Sequence, residues 1–64
     1  MTGLAVRIDV LPDIAGHWSV TRDRVLDAEF TERDRAIDYA RSCEARGRRA
    51  GLEVQLQVHE PLDR

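Results

Sequence analysis

One stretch of this chain changes the spacing of its apolar residues, and that change constrains the fold more than any other feature. Ala36, Ile37, Ala40, Cys43, Gly47 and Ala50 recur three and four residues apart, which traces one stripe of an α-helix. On both sides the period is two: Leu4, Val6, Ile8 and Val10 before it, and Leu52, Val54, Leu56 and Val58 after it. Alternation of that kind belongs to half-buried strands. Phe30 to Gly51 is therefore the only helical stretch, and the strands on either side need it as cover.

The ends of the helix carry their own signals. Thr31 reads as the N-cap, its hydroxyl placed to accept from an orphan N–H of the first turn, with Asp34 as a short-armed capping-box partner. Glu32 and Asp34 suit the N-terminal end of the helix dipole, and Arg46, Arg48 and Arg49 the C-terminal end. Gly51 fits the left-handed position that ends helices. Gly47 costs about 1 kcal/mol relative to alanine inside a helix, so a stop there, with Arg48 to Gly51 as a loop, stays open. The stripe is mostly small, which brings the helix close to what it covers. Ile37 supplies most of the bulk, with Tyr39 at the margin. Asp38–Arg41 and Glu44–Arg48 read as outer-face pairs worth about 0.2–0.5 kcal/mol each.

The strands follow in order. Leu4 to Leu11 alternates until Pro12 and Asp13 stop it, and Ile14-Ala15-Gly16 makes the connection. His17 to Arg22 is the second strand, with Trp18 and Val20 on the covered face. Arg22-Asp23-Arg24 reads as a hairpin turn without the usual Asn-Gly or Asp-Gly signal. Val25 to Phe30 is the third strand, with Leu26, Ala28 and Phe30 facing the core. Leu52 to Glu60 is the fourth, ended by Pro61, and Leu62-Asp63-Arg64 is expected to fray. The order β-β-β-α-β predicts an α+β two-layer sandwich, a single domain over residues 1–64 with one sheet face under the helix and the other open. Strand order within the sheet is not set by these patterns.

Size and composition limit the classes of function. A chain of 64 residues buries only about 60% of its unfolded surface, and one cysteine rules out an internal disulfide. Any supplementary stabilisation is therefore expected from self-association. The first ten residues lack a basic region followed by a long apolar run, which argues against a signal peptide. No stretch approaches the roughly 20 apolar residues of a membrane span. Cytoplasmic residence is the expectation. The net charge of −2 argues against non-specific nucleic-acid binding. All ten basic residues are arginine.

The open face is expected to carry Arg7, Asp9, His17, Ser19, Thr21, Asp27, Glu29, Glu53, Gln55, Gln57 and His59. Of these, Arg7, Asp9, His17, Thr21, Gln55, Gln57 and His59 form the candidate interaction surface for a protein partner or a second copy. Sheet edges, with Leu11 or Val25, are the other candidate. His17 and His59 with Asp9 or Glu53 offer metal-ligand types, but on separate strands without a spacing motif. Cys43 on the small-residue stripe reads as a buried thiol, and Trp18 as a packing anchor. No phosphate loop, Ser/His/Asp arrangement or zinc spacing is present, so neither enzymatic activity nor a cofactor is expected. Arg41, Arg46, Arg48 and Arg49 form a candidate basic patch toward phosphate, as in a nucleic-acid accessory, or toward an acidic partner, although complementing the helix C-terminus accounts for them more simply.

Two family resemblances follow from these residues. Val10-x-Pro12, Gly16-x-Trp18-x-Val20, Phe30-Thr31 and Ala36-Ile37-x-x-Ala40 resemble domain-of-unknown-function family 2188, a group of small bacterial domains, over most of residues 10–58. That resemblance implies the fold and no particular activity. The β-β-β-α-β order with Thr31-x-x-x-x-Ala36 is similar to the partial ribonuclease-H-like domain of HicB-type antitoxins. It implies a small toxin nuclease as partner, although Phe30 stands where those domains usually carry glycine.

Overall fold

A computed structural model describes residues 4–13 and 15–61. The expectations for Ile14 and for Leu62, Asp63 and Arg64 lie outside the described residues. The order is β1 (Ala5–Pro12), β2 (Trp18–Arg22), β3 (Val25–Phe30), α1 (Arg33–Arg49) and β4 (Glu53–Val58). The strands form one mixed sheet in the order β3-β2-β1-β4. The first three make an antiparallel meander, and β4 returns through the helix to pair parallel with β1. The helix lies chiefly over β1 and β4. The fold is α+β, one helix on a four-stranded sheet.

The core sits between the helix and one sheet face, as the alternation requires. Ile8, Val10, Val20 and Val54 come from the sheet, and Ala36 and Ala40 from the helix. Trp18, Phe30, Ile37, Leu56 and Val58 are half-buried around them. Phe30 and Tyr39 meet with ring centroids 5.4 Å apart, and the Arg33 guanidinium lies 5.9 Å from the Trp18 ring centroid. Arg33 also pairs with Glu60, which ties the start of the helix to the chain beyond β4.

The hairpin between β2 and β3 is tighter than its sequence suggests. Only Asp23 and Arg24 separate the paired Arg22 and Val25, and both have positive φ, 52° and 71°. These are the backbone angles of a type I′ turn, whose twist matches the flanking strands. Asp23 also bonds to the central strand: its N–H donates to the Arg7 carbonyl at 2.8 Å, and its Oδ1 accepts from the Arg7 N–H at 3.0 Å.

Three expectations need correction. Leu26 does not face the core. A bulge in β3 lets Val20 pair with Ala28 but Thr21 with Leu26, so the inserted Asp27 shifts the phase of alternation. Leu26 joins Thr21 on the helix-free face, 56% exposed, and Asp27 leaves that face to accept from the Tyr39 hydroxyl at 2.7 Å. The N-cap is Glu32 rather than Thr31, without a side-chain cap bond. Phe30 is held in β3 opposite Trp18, so the chain needs both Thr31 and Glu32 to turn before helical geometry begins. Finally, Asp38–Arg41 is not among the ion pairs of the described residues, whereas Arg48–Glu44 forms at 2.8 Å.

The helix runs through Gly47 and ends as Gly51 suggests. The Leu52 N–H donates to the Gly47 carbonyl at 2.9 Å and the Gly51 N–H to the Arg48 carbonyl at 3.0 Å, the two bonds of a Schellman cap. Gly51 takes φ +88°. Gly47 serves a different need: a Cβ there would stand 2.8 Å from Val54 Cγ2. Its missing side chain lets the helix approach β4.

Candidate functional site on the helix-free sheet face

The centre of the helix-free face is Asp9, and it is buried. Asp9 lies on β1, between Thr21 of β2 and Gln57 of β4 in register, and is only 4% exposed. A carboxylate is rarely covered unless it is paired, and both oxygens of Asp9 are. Oδ2 accepts from Arg7 Nε at 2.9 Å, and Oδ1 lies 2.9 Å from His59 Nε2. Burial pushes the Asp9 carboxyl up, but the hydrogen bonds from His59 and Arg7 outweigh it and hold the group below its ordinary value.

Each member is placed by backbone rules. Arg7 is two residues from Asp9 on one strand and shares its face, and Asp23 fixes its backbone from the hairpin. His59 follows the last residue of β4, and its N–H donates to the Val10 carbonyl at 2.8 Å. That bond carries the parallel ladder one step further and sets the imidazole beside Asp9.

The arrangement constrains what the face offers. An ionised Asp9 is an acceptor only, so His59 Nε2 donates to it. Arg7 is anchored through Nε, and among the described residues its two terminal nitrogens have no partner. The Arg7 side chain is 44% exposed. Gln55 and Gln57 stand exposed on β4 and Thr21 is half-buried on β2, which surrounds the cluster with further donors and acceptors. Leu11 and Leu26 add apolar surface to the same face. No group of three His, Cys, Asp or Glu side chains suited to a metal forms among the described residues.

The remaining candidate residues are dispersed. His17 precedes β2 and stands with Glu29, Phe30 and Thr31 around a shallow depression. It is four residues along the chain from Thr21, a distance of about 13 Å at strand rise, and does not join the Asp9 cluster. The arginines differ in their surroundings. Arg48 is paired with Glu44, Arg41 and Arg49 are exposed, and Arg46 lies roughly 140° around the helix from Arg41, with a terminal nitrogen 3.7 Å from Cys43 Sγ. Reading the sequence placed Arg7, Asp9 and His59 on one face but did not foresee that they close on one another. The signal available was an arginine and an aspartate two residues apart on one face of a strand whose other residues are apolar.

No family model, curated protein or solved structure matches this chain. The resemblances to family 2188 and to HicB-type antitoxins therefore rest on the residues quoted for them. No helix among the described residues is long and apolar enough to cross a membrane.

Proposed function

We propose that this domain is a non-enzymatic interaction module that binds a protein surface, in the simplest case a second copy of itself, through the helix-free face and edges of its sheet. The observation that carries this reading is the preorganised centre of that face. Asp9 holds Arg7 and His59 in fixed positions, so a partner meets a guanidinium whose ordering cost has already been met within the domain. Arginine is among the residues enriched in interface hot spots, and Leu26, 56% exposed, adds apolar surface to the same face. The edge strand β3 adds Val25, 68% exposed, where strand ends carry unpaired backbone groups.

Light scattering across a wide concentration range tests the reading. A dimer is expected, shifted to monomer by Arg7→Ala combined with Leu26→Asp while circular dichroism is unchanged. A monomer at every concentration, with no protein captured in a manner that Arg7→Ala weakens, overturns it. A second reading, a HicB-like antitoxin domain holding a small toxin nuclease on this face, is favoured by the β-β-β-α-β order. Stoichiometric co-purification with a small basic nuclease would select it over self-association.

A further inference from the structure

On the opposite side of the sheet, the helix leaves part of the apolar face uncovered. A groove of about 430 Å³ lies beside the C-terminal half of α1, toward the hairpin end of β2 and β3. That volume falls within the range of about 300–1,000 Å³ typical of small-molecule sites. Its lining is aliphatic: half-buried Val6 and Leu52, over the buried Ile8 of β1 and Val54 of β4. Gly47, seated directly on Val54, and Ala50 form a wall without bulk.

Charge enters only at the margins. Arg22 from the end of β2 and Arg46 from the helix both line the groove, and neither is in an ion pair among the described residues. The one carboxylate present is Asp27, turned to this side by the β3 bulge and engaged by the Tyr39 hydroxyl at 2.7 Å. Two guanidiniums against one already hydrogen-bonded carboxylate leave the site positive. An aliphatic lining with two guanidiniums outside any ion pair at its mouth matches one chemistry: a hydrocarbon body that ends in an anionic head.

We infer that this groove is a binding site for a small free amphiphilic carboxylate, with its chain along Val6 and Leu52 and its head between Arg22 and Arg46. The site lies on the face opposite the Asp9 cluster and is independent of the interaction reading above. The chain contains its own reporter. Cys43 is the single cysteine, is half-buried and lines the groove, so an occupant shields its thiol.

The experiment follows the rate at which N-ethylmaleimide, an uncharged reagent, modifies Cys43 in the full chain as decanoate is added below its micelle concentration. Saturable protection is expected, with methyl NMR shifts at Val6 and Leu52 tracking the same binding curve. Decanol, which keeps the chain but lacks the charge, protects at least tenfold more weakly. Arg46→Gln, which keeps a good helix former at an exposed position, weakens decanoate about tenfold, the loss expected for one charge-assisted hydrogen bond. Arg22→Gln does the same. Absence of saturable protection and of methyl shifts overturns the site. Equal protection by decanol, or unchanged affinity in both arginine variants, overturns the assignment of an anionic head.

Discussion

Gly47→Ala separates two opposed contributions at a single position. Inside a helix, alanine is favoured over glycine by about 0.8–1.0 kcal/mol, and on propensity alone the substitution stabilises the domain. The added Cβ, however, would stand 2.8 Å from Val54 Cγ2, whereas carbon atoms pack at about 3.5–4.0 Å. Val54 is buried, and its β-branched side chain has little rotamer freedom with which to yield. Overpacking of this kind costs about 1–3 kcal/mol. The net expectation is a loss of about 1 kcal/mol, or about 4–8 °C in Tm for a domain of this size. Val54→Ala alone costs about 1.6 kcal/mol from two buried carbons. The double variant is expected to be less damaged than the sum by about 1 kcal/mol, because the new methyl enters space that valine vacated. Urea denaturation of the four proteins measures the cycle. A stabilised Gly47→Ala variant, or additive effects, would refute the close approach of helix and β4.

Three further outcomes follow. The folded-state pKa of Asp9 is depressed, so its contribution is present above the unfolded value near about 3.9 and is lost as pH falls through the folded value; Asp9→Asn is expected to lower stability at neutral pH by about 1–3 kcal/mol and to flatten the acid limb of a urea-midpoint profile. The hydrogen bond to Asp27 pushes the Tyr39 hydroxyl up to about 12. Because the folded value is raised, the associated stability is complete below about 10, the ordinary tyrosine value, and disappears as pH rises through the folded one. Tyr39 is the only tyrosine, so its phenolate absorbance reports the titration directly, and Asp27→Asn should return it toward the ordinary value. Arg24 holds φ 71°, a conformation costing an L-residue about 1–2 kcal/mol. Arg24→Gly is expected to raise stability by about 0.5–1 kcal/mol after the flexibility of glycine is counted, with thermal denaturation as the measurement.

What the sequence made legible was governed by period. The alternation in Leu4–Leu11 and Leu52–Glu60 and the three-four spacing from Ala36 announced strands, helix and covered face, because burial imposes those spacings directly. Gly51 was readable for the same reason: a local backbone geometry demands it. The misreadings arise where a distant partner decides. Nothing local to Val25–Phe30 marks the bulge at Asp27, which comes from pairing with β2, so Leu26 was assigned to the wrong face. Gly47 looked like a local weakness because its reason lies on β4. Asp9, Arg7 and His59 were assigned to one face, but their closure depends on β4 lying parallel beside β1, and composition carries no trace of strand order.

That parallel pairing has a consequence for how the chain acquires its shape during synthesis. Ala5 is in register with Glu53, so β1, an interior strand, keeps one side unpaired until β4 has left the ribosome. The β1–β2–β3 meander can form early from local contacts, whereas the last pairing closes a long loop and is entropically slow. Val54 completes the core and His59 reaches Asp9 in that same closing step. The two faces of the sheet therefore mature together, and a ligand that grips either face after synthesis also holds the final strand in place.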